Sequence, residues 1–399
     1  MRLFHKNATF GVASTSWYQC DASRSRQMKK VPGILLFAFA AIFLVFAPNE
    51  AKSADLFSNS FSSITRFGMN SGLFKAGSSI SFDITMRGGD RLSAFASLDI
   101  STGSWPSVAV SPTLKAIGLS AKDLFGKDIE ATWFIGGMDR FGDGSIFISR
   151  FGKIPFASEF LSPASAISAT AKNYDALYEI SGTGARIIFG QNNQKRSTIL
   201  YAYQDSYSGS GYYGADIRYV YASNSFDLDT FIGGSFAPTA PHGVYRIGAT
   251  LHLAGQTTEL LIMAGIPRWD TSTVFDTSLF QALIEPRVHL GVFNAAFSFL
   301  YKPIWQEGAP TGEAGKADFG LRLSFGKLYT SMSEAGVDVR YAVPSMTTIL
   351  TPSALYATPF WTVLSRGARW DFRFLIKILP IAPSFADMLW PSIGFSASL

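Results

Sequence analysis

The chain has 399 residues and a formal net charge of +5, with 47% hydrophobic and 15% aromatic residues but only 16% charged ones, against about 25% charged in an average soluble domain. The basic surplus is small and scattered, without the dense Lys/Arg run of a nucleic-acid surface, so nucleic acid is excluded as a partner. A lone cysteine, Cys20, excludes an intrachain disulfide. A chain with little charge, 35 Phe and 36 Gly suits a β-protein whose outside meets hydrocarbon.

Residues 1–27 are polar and irregular. They are either an extension of the gene model ahead of a true start at Met28 or a disordered cytoplasmic tail. From Met28 the order is Lys29-Lys30, an apolar stretch from Val31 to Ala47, then Pro48-Asn49-Glu50-Ala51-Lys52-Ser53-Ala54. A basic start, an apolar middle and a small-residue exit make 28–54 a signal peptide, cut after Ser53 or Ala54. The apolar part is short against the roughly 20 residues of a spanning helix; the competing reading is an uncleaved inner-membrane anchor.

From 55 to 399 no stretch of 18 uninterrupted apolar residues occurs, so spanning helices are not expected. A period of two takes over. Ile80, Phe82, Ile84 and Met86 alternate with Ser81, Asp83, Thr85 and Arg87. After Gly88-Gly89-Asp90 and Arg91, Leu92 to Ile100 alternate with Ser93 to Asp99, which predicts a hairpin. Ser111-Pro112 followed by Thr113 to Gly126 has helix punctuation, Ser and Pro at the start and Gly past the end, and predicts one short helix in a loop. Residues 157–174, rich in Ser and Ala, read as a long loop.

Alternation resumes around Asp216 and Arg218, Asp227 and Asp229, Arg246, Arg322, and Asp371 and Arg373. Turn signals at Asp143-Gly144, Asn192-Asn193, Ser208 to Gly211, Pro241 to Gly243 and Gly308 to Pro310 separate the runs. About 14–16 strands are expected. Successive strand residues point to opposite faces, so each run has an apolar face and a mixed one. In a soluble sandwich the apolar face meets a second sheet; in a membrane barrel it meets lipid and the mixed face lines a lumen. The export signal, the low charge and the aromatic excess favour an antiparallel transmembrane β-barrel over 55–399, with a soluble β-sandwich as the rival.

The chain ends inside an alternating run: Ile393, Phe395, Ala397 and Leu399 on one face, Ser392, Gly394, Ser396 and Ser398 on the other. A barrel needs such an end, because its last strand pairs with its first. Ser392, Gly394, Ala397 and Leu399 stand at the spacing of a terminal assembly signal, and the chain here resembles bacterial outer-membrane β-barrels of the porin class. The stretch from Ile148 to Phe156 is similar to strands of such barrels. The resemblance implies outer-membrane lipid as surroundings, insertion by the barrel-assembly machinery through those four residues, periplasmic chaperones on the way, and the outer membrane as destination.

The residues expected to face the lumen are Asp83, Arg87, Arg91, Asp99, Asp216, Arg218, Arg246, Glu285, Arg287, His289, Arg322, Asp371 and Arg373. Opposed acids and bases there either set up a transverse field that orients solutes or pair to seal the barrel. Pro286 within its run predicts a bulge or local break. His242 falls in a turn, His252 and His289 on polar strand faces, and no two histidines have metal-ligand spacing. No cofactor fingerprint or nucleophile elbow is present. Trp133, Trp269, Trp305, Trp361, Trp370 and Trp390 are candidates for interfacial girdles. Three functions stay open: a porin-like channel for small solutes, a closed barrel presenting loops, and a lipid-acting enzyme using Glu285, Arg287 and His289.

Overall fold

Alternating side chains and frequent short turns give a chain of hairpins. The structure, a computed structural model, describes residues 55–70, 73–102, 110–153, 158, 176–191, 195–209, 211–301, 317–326, 332–344, 354–365, 368–382 and 384–398. The export segment, the stretch before it, most of 157–174, Trp305, Leu399 and the turns at 192–193 and 308–310 lie outside these residues.

The strands in chain order are β1 (Asp55–Asn70), β2 (Leu73–Gly88), β3 (Leu92–Thr102), β4 (Val110–Ala121), β5 (Ile129–Phe141), β6 (Tyr178–Gln191), β7 (Arg196–Asp205), β8 (Tyr213–Ala222) and β9 (Phe226–Phe236). They continue as β10 (Gly243–Ala254), β11 (Thr258–Asp270), β12 (Gln281–Leu290), β13 (Phe293–Tyr301), β14 (Ala317–Gly326), β15 (Ser333–Val343), β16 (Ala354–Ser365), β17 (Ala368–Leu379) and β18 (Leu389–Ser398). Each pairs antiparallel with the next, and β18 pairs back onto β1, with Phe61 opposite Ala397 and Ile64 opposite Gly394. The 18-stranded sheet thus closes into a barrel with no edge, as hydrocarbon surroundings demand.

The outer face is apolar. One row crosses neighbouring strands from Leu200 through Ile217, Ile232 and Ile247 to Ile266. Ile217 is 51% exposed and Ile232 57%. So much uncovered aliphatic surface in register is the arrangement of a transmembrane barrel. Aromatics join it: Trp361 stacks on Phe372 at 5.6 Å, and Trp370 meets Phe395 edge-on at 4.6 Å. The Gly88–Leu92 hairpin forms as expected, with Asp83 opposite Ser97.

Several expectations are corrected. Eighteen strands exceed 14–16, partly because β1 places Ser63 and Thr65 outward and Ile64 inward, which hides its alternation. Residues 111–126 are not a helix: β4 covers most of them and only Leu124–Gly126 form a 3₁₀ turn. The register between β3 and β4 shifts at Ser97/Leu98, passing over Lys115. Leu114, Ile117 and Leu119 therefore all point outward, and that slip mimics helical spacing. The helix lies instead at α1 (Ser145–Phe151), overlapping the start of the stretch from Ile148 expected to be strand. Gly144 and Gly152, both left-handed with φ 76° and 64°, bound it, and Gly152 and Lys153 donate back to Ile148 and Phe147 carbonyls in a C-terminal cap. Trp390 points inward, packing beside Tyr356 and Leu375, and is not part of a girdle. Pro286 interrupts pairing with β13 but produces no register shift.

Candidate functional site

The inner wall has two sectors. In β8 the burial alternates residue by residue, with Asp216, Arg218 and Val220 covered and Ile217 and Tyr219 exposed. In β3 it does not: nearly every residue on both faces is half-exposed. The outer face accounts for one set of exposed side chains there. The other set, Ser93, Ser97, Asp99 and Ser101, points into the barrel and is only partly covered by the described residues, while Phe95 on the same face packs against the buried cluster.

The described residues of the β5–β6 connection, 142–153, 158 and 176–177, pack on the first sector. The connection leaves β5 at Phe141, whose ring packs on Phe231 of β9 at 4.3 Å. The Gly142 N–H donates to Asp229 Oδ2 at 3.0 Å. Ile146 and Phe147 of α1 are buried in one apolar cluster with Leu177, Leu261, Met263, Leu283 and Leu300. Each such side chain removed from water contributes roughly 1.5–3 kcal/mol. Beyond α1, Lys153 forms an ion pair with Asp227 and also donates to the Ser223 carbonyl. Ser158 donates to Glu285 on β12, and Gln281 donates to the Ala176 carbonyl at 3.3 Å. The connection is therefore tied to the inner wall from β9 to β12.

Buried charge on this wall is paired. Arg218 donates to Asp229 through Nε at 2.8 Å and Nη2 at 2.7 Å, with its guanidinium over the Phe141 ring. Arg246 grips Asp216 from two nitrogens, at 2.5 and 2.7 Å, and also donates to Tyr203 and Ser235. Arg186 joins Asp139, Glu130 and Thr132. Glu259 gathers three partners: His252 at 3.4 Å, His289 at 3.3 Å and Arg287 at 3.5 Å. Such pairs hold only because the geometry repays desolvation. Further round, Arg322 and Arg373 share Asp338 and both lie over the Phe360 ring, at 4.4 and 5.3 Å. Asp371 accepts from Thr362 and Arg369.

Of the residues expected in the lumen, Asp216, Arg218, Arg246, Glu285, Arg322, Asp371 and Arg373 are buried on inward positions. Arg287 and His289 are half-buried there. Asp83, Arg87 and Asp99 sit on inward positions of the partly covered sector. Arg91 is in the exposed turn after β2, off the wall. Glu285, Arg287 and His289 share a face, and Glu285 pairs with Arg287 at 2.7 Å, whereas His289 turns to Asn294 and Glu259. Sequence reasoning passed over Glu130, Asp139, Lys153, Asp205, Glu259 and Asp338. Inward parity was readable for most of them; their partners sit on other strands, and no local pattern names those.

No family model matches the chain, and no curated protein matches it. Solved structures do. An engineered mutant of the porin of Rhodopseudomonas blastica is 9% identical, covered over its whole length by 87% of this chain, with a TM-score of 0.46. Salmonella typhi OmpF in complex with daunomycin is 11% identical, with 88% of this chain and 99% of that one covered and a TM-score of 0.41.

Proposed function

We propose that the protein is an outer-membrane, porin-type channel for small hydrophilic solutes. The observation that carries this reading is the unequal inner wall: among the described residues it is packed over by the start and end of the β5–β6 connection along β5–β13, and only partly covered along β2 and β3. A barrel closed by its own side chains would bury the inward face all round. The apolar outer rows would sit in outer-membrane lipid. Residues 28–54 would direct export to the periplasm, and Ser392, Gly394, Ala397 and Leu399 would engage the barrel-assembly machinery. The paired charges beneath the connection support a structural part for those residues. Asp83, Arg87 and Asp99, with Lys115 paired to Asp99, are among the charges a passing solute would meet.

The test is conductance of the refolded protein in planar bilayers, with heat-modifiable migration on gels as proof of folding. Stepwise currents are expected. A folded barrel that leaves the bilayer sealed refutes the pore and favours a closed barrel that presents its loops.

A further inference from the structure

Basic charge gathers on one arc of the barrel rim. The rim that carries the start of β1 and the end of β18 is built from short turns, whereas the long β5–β6 connection leaves from the other. In membrane barrels the short turns face the periplasm. Neighbouring turns on this rim are tied together: Lys122 donates its N–H to the Arg91 carbonyl, Gly190 to that of Asp128 and Ala222 to that of Lys195, each at 2.8 Å. The β2–β3, β4–β5 and β6–β7 turns therefore form one continuous arc. It carries Arg91, Lys122, Lys127, Lys195 and Arg196, all exposed. The acids on the same turns are Asp90, Asp123 and Asp128, and Asp128 is paired with Arg150 at 3.3 Å. The next three turns on the rim, 223–225, 255–257 and 291–292, carry no charge.

The arc stands directly below the apolar outer face. Lys122 follows the outward Leu119, which is 42% exposed, by three residues. That is about 10 Å of strand, or roughly 7 Å of depth at a tilt of about 45°. Lys127 comes two residues before Ile129, which lies opposite the outward Phe189. Arg196 sits opposite Tyr221 on the outer face and begins the row that continues to Leu200. The headgroup layer on each side of a bilayer is roughly 5–8 Å deep, so these cations lie within it. Phe125 occupies the β4–β5 turn between Lys122 and Lys127, 74% exposed and with a left-handed φ of 57°. Aromatic rings collect at the level where water meets acyl chains, and an exposed ring flanked by lysines fits that level.

Long basic side chains keep their stems on apolar surface while the charged ends reach polar groups beyond it. Each one near an anionic surface strengthens binding roughly fivefold. A zwitterionic headgroup brings its own cation beside its phosphate, whereas an acidic one offers net negative charge. We infer that the arc of Arg91, Lys122, Lys127, Lys195 and Arg196, with Phe125 set among the lipids, is a docking surface for acidic phospholipid headgroups of the periplasmic leaflet. Charge complementarity calls for an anion, and the exposed ring calls for an apolar layer beside it. A cell-wall polymer or a free phosphate would gain nothing from Phe125. The inference rests on the outer-membrane setting of the proposed function and not on an open pore.

The experiment is native mass spectrometry of the refolded protein in uncharged detergent micelles, titrated with phosphatidylglycerol, phosphatidylcholine or inorganic phosphate. Bilayer conductance and retention on purified peptidoglycan are recorded on the same preparation. Phosphatidylglycerol should bind saturably, at least about fivefold more tightly than phosphatidylcholine. Lys122→Gln combined with Lys127→Gln should remove most of that preference. Phe125→Ser should weaken phosphatidylglycerol binding roughly two- to tenfold, and Arg268→Gln on the opposite rim should leave it unchanged, with every variant still heat-modifiable. Equal affinity for the two lipids, or a preference unmoved by the paired lysine substitution, overturns the docking surface. So does lysine-dependent binding of inorganic phosphate or of peptidoglycan without any lipid preference. Lipid preference beside a sealed bilayer leaves the surface and removes the pore. Current without lipid preference does the reverse, and failure to insert into any bilayer removes both.

Discussion

Asp229 is the hinge of the inner packing. Its carboxylate accepts two bonds from Arg218 and one from the Gly142 N–H, and both charged side chains are fully covered. Asp229→Ala takes from a buried guanidinium the carboxylate that accepts its Nε and Nη2 bonds, leaving the Phe141 ring and the less direct Asp139 and Tyr201 beside it, and leaves Gly142 unbonded. Breaking one side of such a pair destabilises by about 3–5 kcal/mol. The double substitution Arg218→Met with Asp229→Leu removes both charges and restores apolar volume, so most of that loss should return. A residue of ~1–3 kcal/mol should persist, because the Gly142 N–H still lacks an acceptor. Urea unfolding of the refolded barrel in lipid vesicles, followed by tryptophan fluorescence, reads both values. Asp229→Ala should also raise conductance, since the β5–β6 connection loses its first anchor. The reasoning fails if Asp229→Ala unfolds at the wild-type urea concentration, or if the double variant is as damaged as the single one.

Three further outcomes are expected. Ile247→Arg, in the middle of the outer aliphatic row, should destabilise the barrel in lipid by about 2–4 kcal/mol; an unchanged unfolding curve in vesicles would show that this row does not face acyl chains. Gly118→Val places side-chain carbon against the Phe95 ring and the Trp133 carbonyl, 2.4 and 2.8 Å from the Cβ position, and should lower stability by about 1–3 kcal/mol, measured as an earlier urea midpoint. Lys153→Met combined with Ser158→Ala removes the ties to Asp227 and Glu285; single-channel recordings should show larger or noisier openings with little change in unfolding, and wild-type traces would count against a connection pinned at those points.

The amino-acid order by itself determined which side of most strands is greasy, because parity along an extended chain is a local property. It thus placed Asp83, Asp216, Arg218, Arg246 and Arg373 on the polar face, marked the Gly88–Asp90 hairpin, and carried the alternation into the run that pairs as β18 with β1. Parity fails wherever one residue is slipped. Lys115 is such a point, and β4 then looked helical, whereas the true helix is too short to show a period and is marked by two left-handed glycines. Only the tertiary structure decided what lies over the inner wall. Phe141 and Phe231, Lys153 and Asp227, and Ser158 and Glu285 are distant along the chain and come together because the sheet closes and one connection turns inward. His252 and His289 meet at Glu259 for the same reason: neighbours across a sheet are set by register between strands. Whether an inward carboxylate is sealed, like Asp229, or open, like Asp83, depends on where that connection runs, and a pattern of alternate residues carries no trace of it.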